Sequence, residues 1–211
     1  MKSLLIIGAN GFGRDIYNLA TVCKGYLKEY QVKGFLDDNK NALKGYESIY
    51  PPIIDSLNNY QIQTDDVFVC ALGNVQSKKK CIQLILENDG QFITLIHPSA
   101  HIDSNAKIGE GCIILQNAVL GSGSKIGNYV LIQISTIIGH DSLIGSYSRI
   151  DCHAVCVGGV IIEDEVTIHT SAVINHKVTV GKGAIVGANS FVIRKVEENS
   201  TMYGNPAVKL K

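Results

Sequence analysis

Apolar positions follow two different rhythms along the chain. Up to residue 96, short apolar runs alternate with stretches of helical spacing. Residues 4–7 form an apolar run that enters Gly8-Ala9-Asn10-Gly11-Phe12-Gly13-Arg14, and helical spacing follows over 15–24. This predicts a strand, a glycine loop and a helix. A second run, 32–36, stops at Asp37-Asp38, and a third, 67–72, stops at Gly73-Asn74. Over 77–88, Cys81, Ile82, Leu84, Ile85 and Leu86 suit an amphipathic helix with its Lys78-Lys79-Lys80 end in water. Residues 92–96 predict a fourth strand. Strands alternating with helices imply a parallel sheet, and ligands of such sheets sit at the carboxyl ends of the strands. The glycine loop, Asp37-Asp38 and Gly73-Asn74 all fall there.

After His97-Pro98 the rhythm becomes strictly sixfold. Every sixth residue from Ile102 to Val192 is apolar, and two positions before each stands a small or slim residue such as Ala118, Ser124, Thr136, Ser148 or Ala172. At 45% apolar composition such a run arises by chance on the order of 10⁻⁶ of the time. Residues two apart share one face of a strand, so six residues make one short strand and one corner. Such units bury their aliphatic row only by stacking coil upon coil, which gives a parallel β-helix with Gly and Asn expected at the corners. The predicted organisation is an α/β half-Rossmann-like domain over 1–97 and an all-β helix over 98–211.

Composition narrows the function. The 211 residues carry 19 basic and 19 acidic side chains, so no field steers the chain onto nucleic acid or an anionic membrane. No apolar stretch approaches the roughly 18 residues that span a bilayer, and Gly8 interrupts the start too early for the apolar core of a signal peptide; a cytoplasmic location is expected. Six Cys form no CxxC pair and lie mostly in apolar runs, as buried thiols do. Neither zinc nor disulfides are indicated. There are 21 Gly, no Trp and only 7% aromatic residues, which fits a coil interior that admits stacked Ile and Val but hardly a ring. The glycine loop reads G-x-x-G-x-G, not G-x-G-x-x-G, and 97 residues hold only half of a doubly wound dinucleotide domain, so NAD is disfavoured. A loop at a helix N-terminus still offers bare N–H groups to a phosphate.

The register [LIV]-G-x-x-[small]-x resembles the hexapeptide-repeat acyltransferases. The order of glycine loop, Asp37-Asp38, Gly73-Asn74, Ile96-His97-Pro98, hexapeptides and a closing Gly204-Asn205-Pro206-Ala207 is similar to one branch of that family. These are the bacterial sugar acetyltransferases typified by sialic acid O-acetyltransferases and UDP-4-amino-sugar N-acetyltransferases. The resemblance implies a left-handed β-helix, a homotrimer, and acetyl-CoA lying along the crevice between neighbouring β-helices. It also implies that the N-terminal domain holds a nucleotide sugar beside that crevice. The reaction implied is acetyl-CoA-dependent N-acetylation of a nucleotide-linked amino sugar for surface glycans, with sugar O-acetylation as the alternative.

Acetyl transfer from a thioester requires a base for the proton and donors for the developing oxyanion. His140 stands at a corner, two residues after an inward aliphatic, and so points out of the core; on spacing alone a solvated corner side chain is equally open. The resemblance makes His140 the catalytic residue and Asp141 the acidic residue that orients it. With three hexapeptides per coil, residues 18 apart stack, which puts Gly158 one strand spacing, about 4.8 Å, from His140 and makes it the candidate oxyanion donor. The resemblance also assigns Gln133, Gly158, Thr170, Ala188, Gly204, Asn205 and Pro206 to acetyl-CoA. Gly8, Asn10, Gly11, Phe12, Asp37, Asp38, Gly73 and Asn74 are candidates for the nucleotide sugar; Phe12 either stacks on a base or packs on its helix. Two positions depart from the family's pattern. Gln133 stands where Asn is common, and Arg149 where some members have a second His, so that Arg149 becomes a candidate for a carboxylate or phosphate of the acceptor. The carbonic anhydrases built on the same repeat carry H-x-x-x-x-H, whereas His169 and His176 are seven apart.

Overall fold

The computed structural model describes residues 1–210, which divide into a compact unit Met1–Pro98 and a second beginning at Ser99. The first is a parallel sheet of β1 (Lys2–Ile7), β2 (Tyr30–Leu36), β3 (Ile53–Asp55), β4 (Asp66–Cys70) and β5 (Gln91–Phe92), in the order β3-β2-β1-β4-β5. Helices α1 (Gly11–Val22) and α2 (Val75–Glu87) follow β1 and β4. All of β4 and five of the six residues of β1 are buried, as in a central strand covered on both faces. Helix α1 begins four residues before its predicted start because Gly13 packs against the Gly8 carbonyl, where a Cβ would not fit. Lys78 is buried rather than turned to water, since it shares the inward face of α2 with Ile82 and Ile85 at spacings of four and three.

Opposite β1, Asp66 is sealed in the sheet with its side chain fully covered. It accepts from Lys33 Nζ at 2.9 Å, Tyr60 Oη at 2.6 Å and the Gln63 amide at 2.8 Å. Burial pulls the Lys33 pKa down, but its bonds to Tyr60 and Asp66 outweigh this and leave it above the usual lysine value. Burial first, then the bond to Asp66, raises Tyr60 as well. Groups whose folded pKa is raised contribute stability that is complete below the unfolded value and is lost as pH rises through the folded one. The thermal midpoint is therefore expected to fall as pH rises beyond about 10. In differential scanning fluorimetry, Lys33→Met with Tyr60→Phe should flatten that fall, and an unchanged slope would remove this account.

From Ser99 the chain winds as a parallel β-helix with 18 residues per coil, since Val119 pairs with Ile137, Lys125 with Leu143 and Leu131 with Arg149. Its first face stacks Val119–Leu120, Ile137–Ile138, Val155–Cys156 and Val173–Ile174; its second stacks Lys125–Ile126, Leu143–Ile144, Ile161–Ile162 and Thr179–Val180. The third stacks Leu131–Ile132, Arg149–Ile150, Thr167–Ile168 and Ile185–Val186. The second residue of each pair points inward and is buried. Two cysteines, Cys112 and Cys156, replace aliphatic or small residues in this interior, and burial pushes the Cys156 thiol up to about 12. It is a packing group, not a nucleophile.

The corners differ from the Gly-and-Asn expectation. Tyr129, Tyr147, His153, Glu165 and Lys177 all take positive φ, alongside Asn117 and Asn189. What holds them there is a backbone bond to the coil before, such as Tyr147 N–H to Asn128 O at 2.8 Å and Glu165 N–H to Ser146 O at 2.9 Å. Each such bond is worth about 1 kcal/mol, which offsets the roughly 1 kcal/mol of left-handed strain.

Candidate functional site

His140 and Asp141 occupy the corner between the first and second faces, after Ile138 and Gly139. Asp141 has φ of 56°, which turns its carboxylate back along the corner to meet His140 Nδ1 at 2.8 Å. The carboxylate requires a proton on Nδ1, so in the neutral ring Nε2 carries the lone pair. Both side chains are exposed, 63% and 75%. The ring lies flat on the next coil at Gly158: a Cβ there would stand 2.7 Å from its Cδ2 and Cε1 and closer still to Nε2. Only glycine at 158 accommodates this position of the base.

Gly158 has a second consequence. At the corner between the second and third faces, the equivalent amides are capped by side chains of the next coil: Glu110 N–H by Asn128 Oδ1 at 3.0 Å, Asn128 N–H by Ser146 Oγ at 3.1 Å, and Ser146 N–H by Asp164 Oδ1 at 2.7 Å. At the His140 corner no such ladder exists, and among the described residues the Gly158 N–H has no acceptor. A base and an N–H donor thus stand side by side at one corner, the pair that acyl transfer needs. His176, a further coil away, approaches Gly159 and does not join this pair.

The third corner, between the third and first faces, holds a polar column the sequence reading did not foresee. Asp151, whose side chain is 5% exposed, accepts from Arg149 Nε, from Arg149 Nη2 at 3.0 Å, from Gln133 Nε2 at 2.9 Å and from His169 Nδ1 at 3.0 Å. Cys152 Sγ donates to Gln133 Oε1 at 3.0 Å. Arg149 is therefore held in an ion pair, and His169, expected as a plain surface residue, is tied to a buried carboxylate. The signal for this column was available: 133, 151 and 169 are 18 apart and all polar. Thr170 and Ala188 lie exposed on successive coils of the same corner, where Asn189 N–H bonds to Thr170 O at 3.0 Å. Gly204 joins the stack through its N–H to Ser190 Oγ and its carbonyl to Phe191 N–H, with Asn205 and Pro206 exposed beside it.

In the first unit a cavity of about 250 Å³ opens at the carboxyl ends of β1 and β2. Gly8, Asp37 and Asp38 line it, and with them Leu57, Asn58, Lys80 and Cys81, which carried no motif. Asp37 is committed to the backbone, accepting from Ala9 N–H and Asn39 N–H at 2.8 Å each. Asp38 is exposed at the rim. Asn74 caps α2 through Ser77 N–H at 2.9 Å, and Gly73, like Asn74, is absent from the cavity wall. Asn10, Gly11 and Phe12 form the start of α1 outside that wall, with Arg14 stacked over Tyr46 at 4.2 Å nearby. Among the described residues no helix is long and apolar enough to cross a membrane, and no group of three or more His, Cys, Asp or Glu side chains is placed to hold a metal ion.

Comparison with known proteins agrees with both parts of this description. Residues 3–85 match the family described as the PglD N-terminal domain, and residues 93–178 the family described as the GMPPB C-terminal domain. A UDP-N-acetylbacillosamine N-acetyltransferase of Bacillus subtilis (strain 168) is 30% identical over 118 residues, 54% of this chain and 52% of that one, so the match spans about half the length of that curated relative. The acetyltransferase domain of PglB from Neisseria gonorrhoeae FA1090, solved in complex with acetyl coenzyme A, has a TM-score of 0.87 and 28% identity, with 99% of each chain covered. WeeI from Acinetobacter baumannii AYE has a TM-score of 0.87 and 27% identity, with both chains fully covered. The expected fold, an α/β unit followed by a left-handed β-helix, is borne out. In fold over its whole length and in sequence across both parts, the chain resembles the hexapeptide-repeat sugar N-acetyltransferases.

Proposed function

We propose that the chain is an acetyl-CoA-dependent N-acetyltransferase that acts on a nucleotide-linked amino sugar in bacterial surface glycan biosynthesis. The observation that carries this reading is the His140 ring, fixed by Asp141 at Nδ1 and laid over the glycine whose N–H has no acceptor. The acceptor amine attacks the thioester carbonyl and passes a proton to His140 Nε2. As the carbon–sulfur bond breaks, the imidazolium returns that proton to the departing CoA sulfur, giving an acetamide and free CoA. Gly158 N–H steadies the oxyanion between these steps. We assign the cavity of the first unit to the nucleotide, and Gln133, Thr170, Ala188 and the Gly204-Asn205-Pro206 turn to acetyl-CoA. Because His140 and Asp141 are more than half exposed in one chain, the reading includes a homotrimer in which a neighbouring copy covers them and excludes water.

The test is thiol release from acetyl-CoA across UDP-, GDP- and dTDP-linked amino sugars. Turnover with at least one is expected, and the acceptor's amine, rather than a hydroxyl, should carry the acetyl group in the mass spectrum of the product. Turnover with none of them, or acetyl found on oxygen, would overturn the proposal, the latter in favour of a sugar O-acetyltransferase.

A further inference from the structure

The Gln133–Arg149–Asp151–His169 column does more than replace the family's Asn and His with larger side chains. A carboxylate as covered as Asp151 is costly unless every lone pair is used, and here four N–H groups converge on its two oxygens. We infer that Asp151 is a positioning residue of the transfer site, holding the Gln133 amide, the Arg149 guanidinium and the His169 ring in one fixed fan. The inference rests on the acetyl-transfer reading above.

Three consequences follow from the geometry. First, the Gln133 amide is locked at both ends. Its Nε2 donates to Asp151 and its Oε1 accepts from Cys152 Sγ, so the flip that makes a free glutamine ambiguous is settled, and the second Nε2 hydrogen has a set direction. Second, the Arg149 charge is matched at short range by Asp151, so the corner offers oriented donors without a net positive charge. A neutral acyl oxygen suits such a site better than a free phosphate or carboxylate does. Third, the acceptor at His169 Nδ1 puts the lone pair of the neutral ring on Nε2, the same tautomer that Asp141 imposes on His140. Two histidines on different corners are thereby preset by carboxylates, one exposed and one buried.

Asp151→Asn keeps the shape but has one acceptor oxygen and gains two N–H donors, so at least one of Arg149, Gln133 or His169 loses its partner. With the purified full chain, kcat is expected to fall at least about tenfold while KM for acetyl-CoA and for the sugar nucleotide stays within about threefold. In 15N-detected imidazole spectra of the ligand-free protein, neutral His169 should be the Nδ1–H tautomer and shift toward Nε2–H in Asp151→Asn. Should Asp151→Asn not fold, Cys152→Ala serves instead. It leaves the buried carboxylate paired and frees only one end of Gln133, and about a threefold loss of kcat is expected. An active wild type whose variant keeps kcat within twofold, or a wild-type His169 in the Nε2–H form, overturns the inference alone. So does a loss that appears only in the melting temperature. A wild type that transfers acetyl to no sugar nucleotide removes the transfer reading and this inference together.

Discussion

With alanine at position 140, acetyl transfer is expected to fall by about 10²- to 10⁴-fold in kcat, the usual range for removing a general base. The fold should not follow it down. The His140 side chain is 63% exposed, its corner is held by backbone bonds such as Asp141 N–H to Ser122 O at 2.8 Å and Gly159 N–H to His140 O at 2.8 Å, and alanine retains both. Steady-state kinetics should therefore show a loss in kcat with little change in KM for acetyl-CoA and an unchanged melting temperature. Asp141→Asn should cost less, about 10-fold, because it alters the tautomer and orientation of the ring without removing it. Transfer by His140→Ala at the wild-type rate would make another group the base and dissolve the role given to this corner.

The β-helix was legible because its period is a stacking constraint. An inward position that recurs every six residues cannot be polar without burying an unpaired group in all the coils, so Ile114, Ile132, Ile150 and Ile168 announce both the face and the 18-residue coil. The same logic exposes His140 and Gly158 as neighbours. Corner chemistry was less legible. Positive φ at Tyr129 or Lys177 is fixed by hydrogen bonds to the preceding coil, which are tertiary, and the residue type does not advertise them. In the first unit β3 escaped notice because it is three residues long, follows Pro51-Pro52 and lies at the sheet edge, where alternation has no length to show itself. The predicted run at 92–96 is really two short strands, Gln91–Phe92 and Leu95–Ile96.

The polar cluster at the third corner illustrates a different limit. Read along the chain, Ile150-Asp151-Cys152 is an ordinary corner; read down the stack, Asp151 lies between Gln133 and His169 with Arg149 beside it. Burial of Asp151 is what turns a polar column into a constraint, and burial depends on side-chain packing that no spacing rule encodes. The first unit repeats the point. Asp37 and Asn74 have the residue types of ligand contacts, yet both are engaged in backbone capping, while Leu57, Asn58 and Lys80 line the cavity without any motif.

Gly158→Ala separates the proposed site from the scaffold that carries it. Gly158 does not have positive φ, so alanine is compatible with its backbone, and the added methyl meets only the exposed His140 ring, at 2.7 Å from two of its carbons. Relief requires that ring to move by about 1 Å, and a displacement of that size costs on the order of 10²-fold in rate. At Gly139, one coil earlier, the methyl would instead strike the Gly158 backbone N at 2.5 Å, which cannot move without parting the coils. Gly158→Ala should therefore lose about 10²-fold in kcat with a melting temperature close to wild type, whereas Gly139→Ala should lose both. The two glycines differ because one clears a side chain and the other clears a strand. Combined with His140→Ala, Gly158→Ala should add little, since the group it displaces is already gone, and this non-additivity distinguishes displacement of the base from general damage to the corner. A Gly158→Ala enzyme within threefold of wild type, or a double variant whose losses multiply, would show that the ring over Gly158 is not where the proton is taken.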